Sequence, residues 1–196
     1  MSRTTIIVLV ALGAAVAGFA FSSAAGRLRG ADATPDASVA AGPQSADLGW
    51  RETFGPAGER LVFTVDWLEV TRRGWRARIG IENESSVAYE VNDPRVTLDR
   101  AFGLMLFSTG DADQLERLNA SGELPEPRPA TKFSPALPAL LEPRASWEGT
   151  MSASGALVAG SWARVVFGTL VAAGKPPDEL PERIVWITDH AYRLRR

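Results

Sequence analysis

"GWRARIGIEN", residues 74–83, alternates strictly from Trp75: Trp75, Ala77, Ile79 and Ile81 are apolar, Arg76, Arg78 and Glu82 are charged, and Gly80 falls on the charged side. Successive side chains of an extended chain point to opposite faces, so this stretch predicts a strand with one dry face and one wet face. Just upstream, "RLVFTVDWLEVT", residues 60–71, is rich in β-branched and aromatic residues. It predicts a strand buried on much of both faces, with Leu61, Phe63, Val65 and Trp67 on one side and Val62, Leu68 and Val70 on the other. Only "RRG", residues 72–74, separates the two runs, which predicts a hairpin.

Downstream, "NESS" at 83–86 reads as a turn and "VAYEVNDPRVTL" at 87–98 as a strand bent where Pro94 removes a backbone donor. "FGLMLFS", 102–108, is a short apolar strand. "GDADQLERLNASG", 110–122, is the one helix expected beyond the N-terminal segment: Asp111 caps it, Gln114 stands where a capping box wants it, Leu115 and Leu118 share a face, and Gly122 ends it. "ELPEPRPATKFSPALP", 123–138, carries too much proline for a helix or a central strand and predicts an extended surface crossing between two sheets or two edges. Strands resume at 145–152, 161–171 and 183–194, with a loop at 174–182. Many short strands with frequent turn punctuation predict an all-β fold, an antiparallel β-sandwich with one short helix.

The chain has 196 residues, 45% of them hydrophobic, enough for one domain with a sizeable core. Its formal net charge of -2 argues against a nucleic-acid partner, which requires a basic surface. With no cysteine, disulfides, thiolate chemistry and Cys-based zinc sites are excluded, as is a lipid anchor on cysteine.

The first residues, "MSRTTIIVLVALGAAVAGFAFSSAAGRLR", contain no charge from Thr4 to Gly26. As a helix, Thr4 to Ala25 would extend roughly 33 Å, against a hydrocarbon core of about 30 Å. Residues 1–26 therefore predict an N-terminal transmembrane or signal helix. An uncleaved signal-anchor is favoured by the length of the apolar run, although the small residues Ser22 to Ala25 would also suit a signal peptidase. Residues 27–47, rich in Ala, Gly, Pro, Ser and Asp, read as a flexible tether, and residues 48–196 as the sandwich. The arginines flanking the apolar run nearly balance. The short basic head is laid out like an export signal, so the domain is expected outside the cytoplasm.

A signal or anchor, a low-complexity tether and a single sandwich, with "IEN" at 81–83 ending an alternating strand, "LEPRASWEG" at 141–149 and "ARVVFG" at 163–168, resemble the small bacterial cell-envelope proteins of the DUF4352 group. The resemblance spans about residues 60–170. It implies an immunoglobulin-like, extracytoplasmic binding or structural module with no catalytic residues to carry over. The helix near 111–119 and the proline-rich crossing depart from that pattern.

Candidate chemistry is sparse. His190 is the only histidine and follows Asp189, but no GxSxG nucleophile turn exists, so an ordinary hydrogen-bonded edge histidine is expected. Asp111, Asp113 and Glu116 lack the spacing of a calcium loop, and helix capping accounts for Asp111. No catalytic, metal or cofactor residue is assigned. Of the six tryptophans, Trp67, Trp75, Trp162 and Trp186 fall between aliphatics and are expected in the core, whereas Trp50 beside Arg51 is expected to be partly exposed. Arg76, Arg78 and Glu82 read as a solvated face with ion pairs to Glu69 or Glu90. Trp50, Arg76 and Arg78 are the candidate ligand contacts. "RLRR", 193–196, reads as a frayed, soluble end, with contact to anionic lipid as its alternative. The expected function is non-catalytic contact with an envelope protein partner. A carbohydrate-binding module comes second and a hydrolase around His190 last.

Overall fold

The computed structural model describes residues 39–91 and 102–196. The apolar segment at 4–25, the tether up to residue 38 and the bend expected at Pro94 lie outside the described residues. Among the described residues no helix is long and apolar enough to cross a membrane.

Two antiparallel sheets enclose the core. The first contains β1 (Gln44–Phe54), β2 (Leu61–Thr71), β3 (Gly74–Asn83), β9 (Ser146–Ser154) and β7 (Lys132–Ser134), in the spatial order β1-β2-β3-β9-β7. The second runs β6 (Arg128–Pro129), β5 (Gly103–Phe107), β10 (Trp162–Ala172), β4 (Tyr89–Val91), β8 (Leu140–Leu141). On the opposite side of β10 lie β11 (Arg183–Ile187) and β12 (Tyr192–Arg193). The expected hairpin is β2–β3, closed at Thr71↔Gly74.

The alternation in β3 does what its sequence requires. Trp75, Ala77, Ile79 and Ile81 are buried in the main core, while Arg76 is exposed and Arg78 and Glu82 are half-exposed. In β2 the alternation slips. A register shift between Val65 and Trp67 inserts one extra residue, so Leu68 and Val70 join Leu61, Phe63 and Val65 in the core. Trp67, expected inside, is turned to the outer face, because a β-bulge reverses the facing of every residue beyond it.

β10 is buried nearly throughout, as a central strand covered on both faces should be. Its Ala163, Val165 and Phe167 face the main core, and its Val166 joins a second cluster with Met105, Phe107, Val185 and Ile187. Leu115 of α1 (Ala112–Ser121) seals that second cluster. The helix ends are as expected: the Asp111 carboxylate accepts from the amides of Asp113 and Gln114, and Gly122 closes the helix in the left-handed region. The return arm of the capping box is made by Thr109, whose hydroxyl accepts from the Asp111 amide.

The proline-rich crossing also lies where expected. It leaves the second sheet at β6 and joins the first at β7, both edge strands. Two boundaries differ. The fold begins before Leu48: Ala40 bridges Val158, Ala41 is fully buried, and β1 starts at Gln44. Gln44–Asp47 has a tether-like composition, yet an edge strand needs only one partner, and β2 supplies it through Gln44↔Val70 to Asp47↔Trp67. At the other end, "RLRR" is not frayed. Leu194 is 1% exposed, its amide donates to Ser161 O and its carbonyl accepts from Gly160 N.

Candidate functional site

The lone histidine sits where the two sheet edges meet. β1 borders the first sheet, and the residues after β11 border the second. As β1 runs back from Glu52 to Gln44, the facing chain runs forward from Asp189 to Arg195. Glu52 closes one end of this seam and Gln44 the other. The Gln44 side chain accepts from the Arg195 amide at 3.0 Å and donates to the Arg195 carbonyl at 3.3 Å.

Glu52 pairs with Phe63 in the β1–β2 ladder, and Phe63 points into the core, so Glu52 points inward too. A carboxylate there must be fully hydrogen-bonded. Its oxygens accept from Trp186 Nε1 at 2.8 Å, the Asp189 amide at 3.0 Å, the His190 amide at 3.3 Å and the His190 ring at Nδ1 at 2.8 Å. The His190 side chain is 58% exposed against 7% for Glu52, so the ring lies over a buried anchor with its outer edge in water. Trp50 stacks on it at 5.6 Å between ring centroids.

Beneath this cluster lies a second buried charge. Arg164 of β10 is fully buried on the side covered by α1. Its guanidinium donates to the carbonyls of Thr188 and Asp189 on one side and of Gly110 and Asp111 on the other. Burial is the largest influence on its pKa and pulls it down, while the carboxylates of Asp189, Glu52 and Asp111 act in the opposite sense. Arg164 thus ties the start of α1 to the turn that presents His190.

The arrangement orients an imidazole, as a general base would need to be oriented. Among the described residues the ring's hydrogen bond is to Glu52 through Nδ1, and no hydroxyl side chain is hydrogen-bonded to its outer nitrogen. Asp111 is spent on the helix cap, and among the described residues no group of three or more His, Asp or Glu side chains could hold a metal ion.

The three ligand contacts expected from the sequence do not form one site. Trp50 faces inward, opposite Val65, at the seam. Arg76 and Arg78 are on the other side of the same sheet, spent on neighbours: Arg76 on Glu69 at 2.6 Å, and Arg78 on Glu148 at 2.7 Å and Asp66 at 3.6 Å. Of the two expected partners of that face Glu69 is therefore used, while Glu90 belongs to the other sheet. Arg76 also covers the Trp67 ring at 5.6 Å. Between these pairs, Gly80 floors a depression of about 190 Å³ bounded by Arg51, Thr64, Glu82 and Glu148. A Cβ at Gly80 would come within 2.5 Å of Thr64 Oγ1.

Glu52 and Arg164 escaped the sequence reading, although each left a signal. Once β1 is recognised as a strand, Trp50, Glu52 and Phe54 share a face, and an acid between two aromatics is conspicuous. Arg164 is the only charge in "SWARVVFGTLV", a run too apolar to have a wet side.

No family model, curated protein or solved structure matches the chain.

Proposed function

We propose that the chain is a membrane-tethered, extracytoplasmic, immunoglobulin-like β-sandwich of the DUF4352 kind that works by contact with an envelope protein and not by catalysis. The carrying observation is the asymmetry of the two sheets. The outer face of the second sheet is covered by α1 and its apolar cluster. The outer face of the first is open over β1, β2, β3 and β9, where half-buried Trp67, with Arg76 over its ring, lies among paired charges. An aromatic ringed by polar groups is the usual composition of a contact hot spot. The non-catalytic part is supported by the use of Glu52, whose hydrogen bonds all go to groups that join the sheets.

A photo-crosslinking residue at Trp67, compared with one at exposed Arg117 on α1, tests this in intact cells. A defined protein adduct at 67 and none at 117 is expected. Adducts at neither site, or at 117 alone, would remove the open face as the working surface. Protease shaving of whole cells checks the topology, with degradation expected without lysis.

The same Trp67 favours a second function, a shallow carbohydrate platform. Polysaccharide that quenches the wild-type tryptophan emission but not that of Trp67→Phe would select it over protein contact.

A further inference from the structure

One end of the sandwich is basic, and it is the end at which the chain enters. Residues 39–41 pair with 157–159, so the chain arrives beside the β9–β10 connection. Arg195 and Arg196 sit against that entry: Gly42 N donates to Arg195 O, and a Cβ on Gly42 would lie 3.0 Å from Arg196. Arg193 lies over the Trp162 ring at 5.9 Å, at the start of β10. The β2–β3 turn adds Arg72 and Arg73. It is held to the same end by Gln44↔Val70 and by Gly155 N donating to Arg73 O. All five arginines are exposed. Acidic groups toward this end are Glu69, engaged by Arg76, Asp47 on β1, Glu126 beside Val158 and Ser161, and Asp111 and Asp113 at the start of α1, where Gly110 packs on Trp162. Between Arg73 and Arg76 is a depression of about 270 Å³. The opposite end carries exposed Glu142, Asp178, Glu179 and Glu182 beside exposed Arg144 and Lys175. The two ends therefore differ in their balance of charge, the entry end being the richer in arginine.

We propose that this basic end docks on anionic lipid headgroups through Arg72, Arg73, Arg193, Arg195 and Arg196. The occupant is chosen by charge and by tether length, and the tether part rests on the membrane-anchor function proposed above. Residues 26–38 can span at most about 45 Å, so an anchor at 4–25 keeps the domain near the bilayer with its entry end leading. Clustered arginines at a lipid surface then act together, each changing partitioning by about fivefold, within a screening length of roughly 10 Å at 0.1 M salt.

The chain has no cysteine, so single labels are clean. The full chain, labelled at Ser154→Cys near the basic end or at Ser86→Cys at the opposite end, is mixed with neutral phosphatidylcholine vesicles or with vesicles containing phosphatidylglycerol. Flotation reads the anchor, and quenching by nitroxide lipids reads the docking. The expected result is flotation with both vesicles and quenching at 154, not at 86. The quenching should need the anionic lipid, fall in 0.5 M salt and disappear in the variant Arg72→Glu/Arg73→Glu/Arg195→Glu. Flotation only with anionic vesicles, reversed by salt, with the same quenching, would leave docking standing and remove the anchor. Flotation with both but no lipid-dependent quenching at 154 would remove docking and leave the anchor. A label at 154 that ignores lipid but responds to soluble poly-glutamate would assign the face to an acidic protein and overturn the lipid proposal. Flotation with neither, and no quenching, would remove both.

Discussion

Buried polar side chains hold this molecule's irregular parts together. Glu52 joins two sheets by accepting from a tryptophan ring, two backbone amides and an imidazole. Deleting it strands buried donors, so Glu52→Ala is expected to cost about 3 kcal/mol in urea denaturation, whereas His190→Ala, at the wet end of the pair, should cost under about 1 kcal/mol. Equal costs would mean that the histidine, not the backbone and Trp186, is the partner that matters. Asn83 plays a comparable part at the far end. Its Nδ2 donates to the carbonyls of Val87, Leu141 and Glu142, and its Oδ1 accepts from the amide and hydroxyl of Ser85. Next to it, burial pushes the Tyr89 hydroxyl from 10.0 up to about 12. The folded chain holds that proton more tightly than the unfolded chain does. Its contribution to stability is complete below the unfolded value of 10.0 and is lost as pH rises toward about 12. Denaturation curves taken across that range should show the fall in wild type and a smaller one in Tyr89→Phe.

Among the elements, α1 depends most on a single distant residue. The carbonyls of Gly110 and Asp111, just ahead of it, are tied to the Thr188–Asp189 turn through the planar fork of Arg164. A lysine is a point donor on a flexible stem and cannot span both segments. Arg164→Lys is therefore expected to lose about 2–4 kcal/mol of stability and to speed amide exchange in α1 about tenfold or more, with β3 protected as before. Uniform loss of protection would show that the arginine supports the whole core rather than the helix. The strands follow a different logic. β3 keeps perfect alternation, whereas the bulge in β2 sends Trp67 outward, where Arg76 covers it.

For the whole molecule, the seam between β1 and the C-terminal residues decides whether the sandwich closes on that side. Leu194 is the apolar pin of that seam, and Leu194→Ala should cost about 2–4 kcal/mol, read from the midpoint of thermal unfolding. A loss near zero would return the tail to the frayed end that "RLRR" suggests. Patterning alone determined the all-β class, the β2–β3 hairpin, the capped helix from Asp111 to Gly122, and the edge-to-edge crossing at 123–138. Each of these is set by local physics: period two, a side-chain cap, or proline's missing donor. Only the tertiary structure decided that Gln44–Asp47 is a strand, that Trp67 faces out, that Leu194 faces in, and that Glu52 and His190 meet across 138 residues of sequence. Edge pairing, a one-residue bulge and a buried ion's partners depend on which surfaces come together in space, and such contacts leave no periodic mark on a single strand.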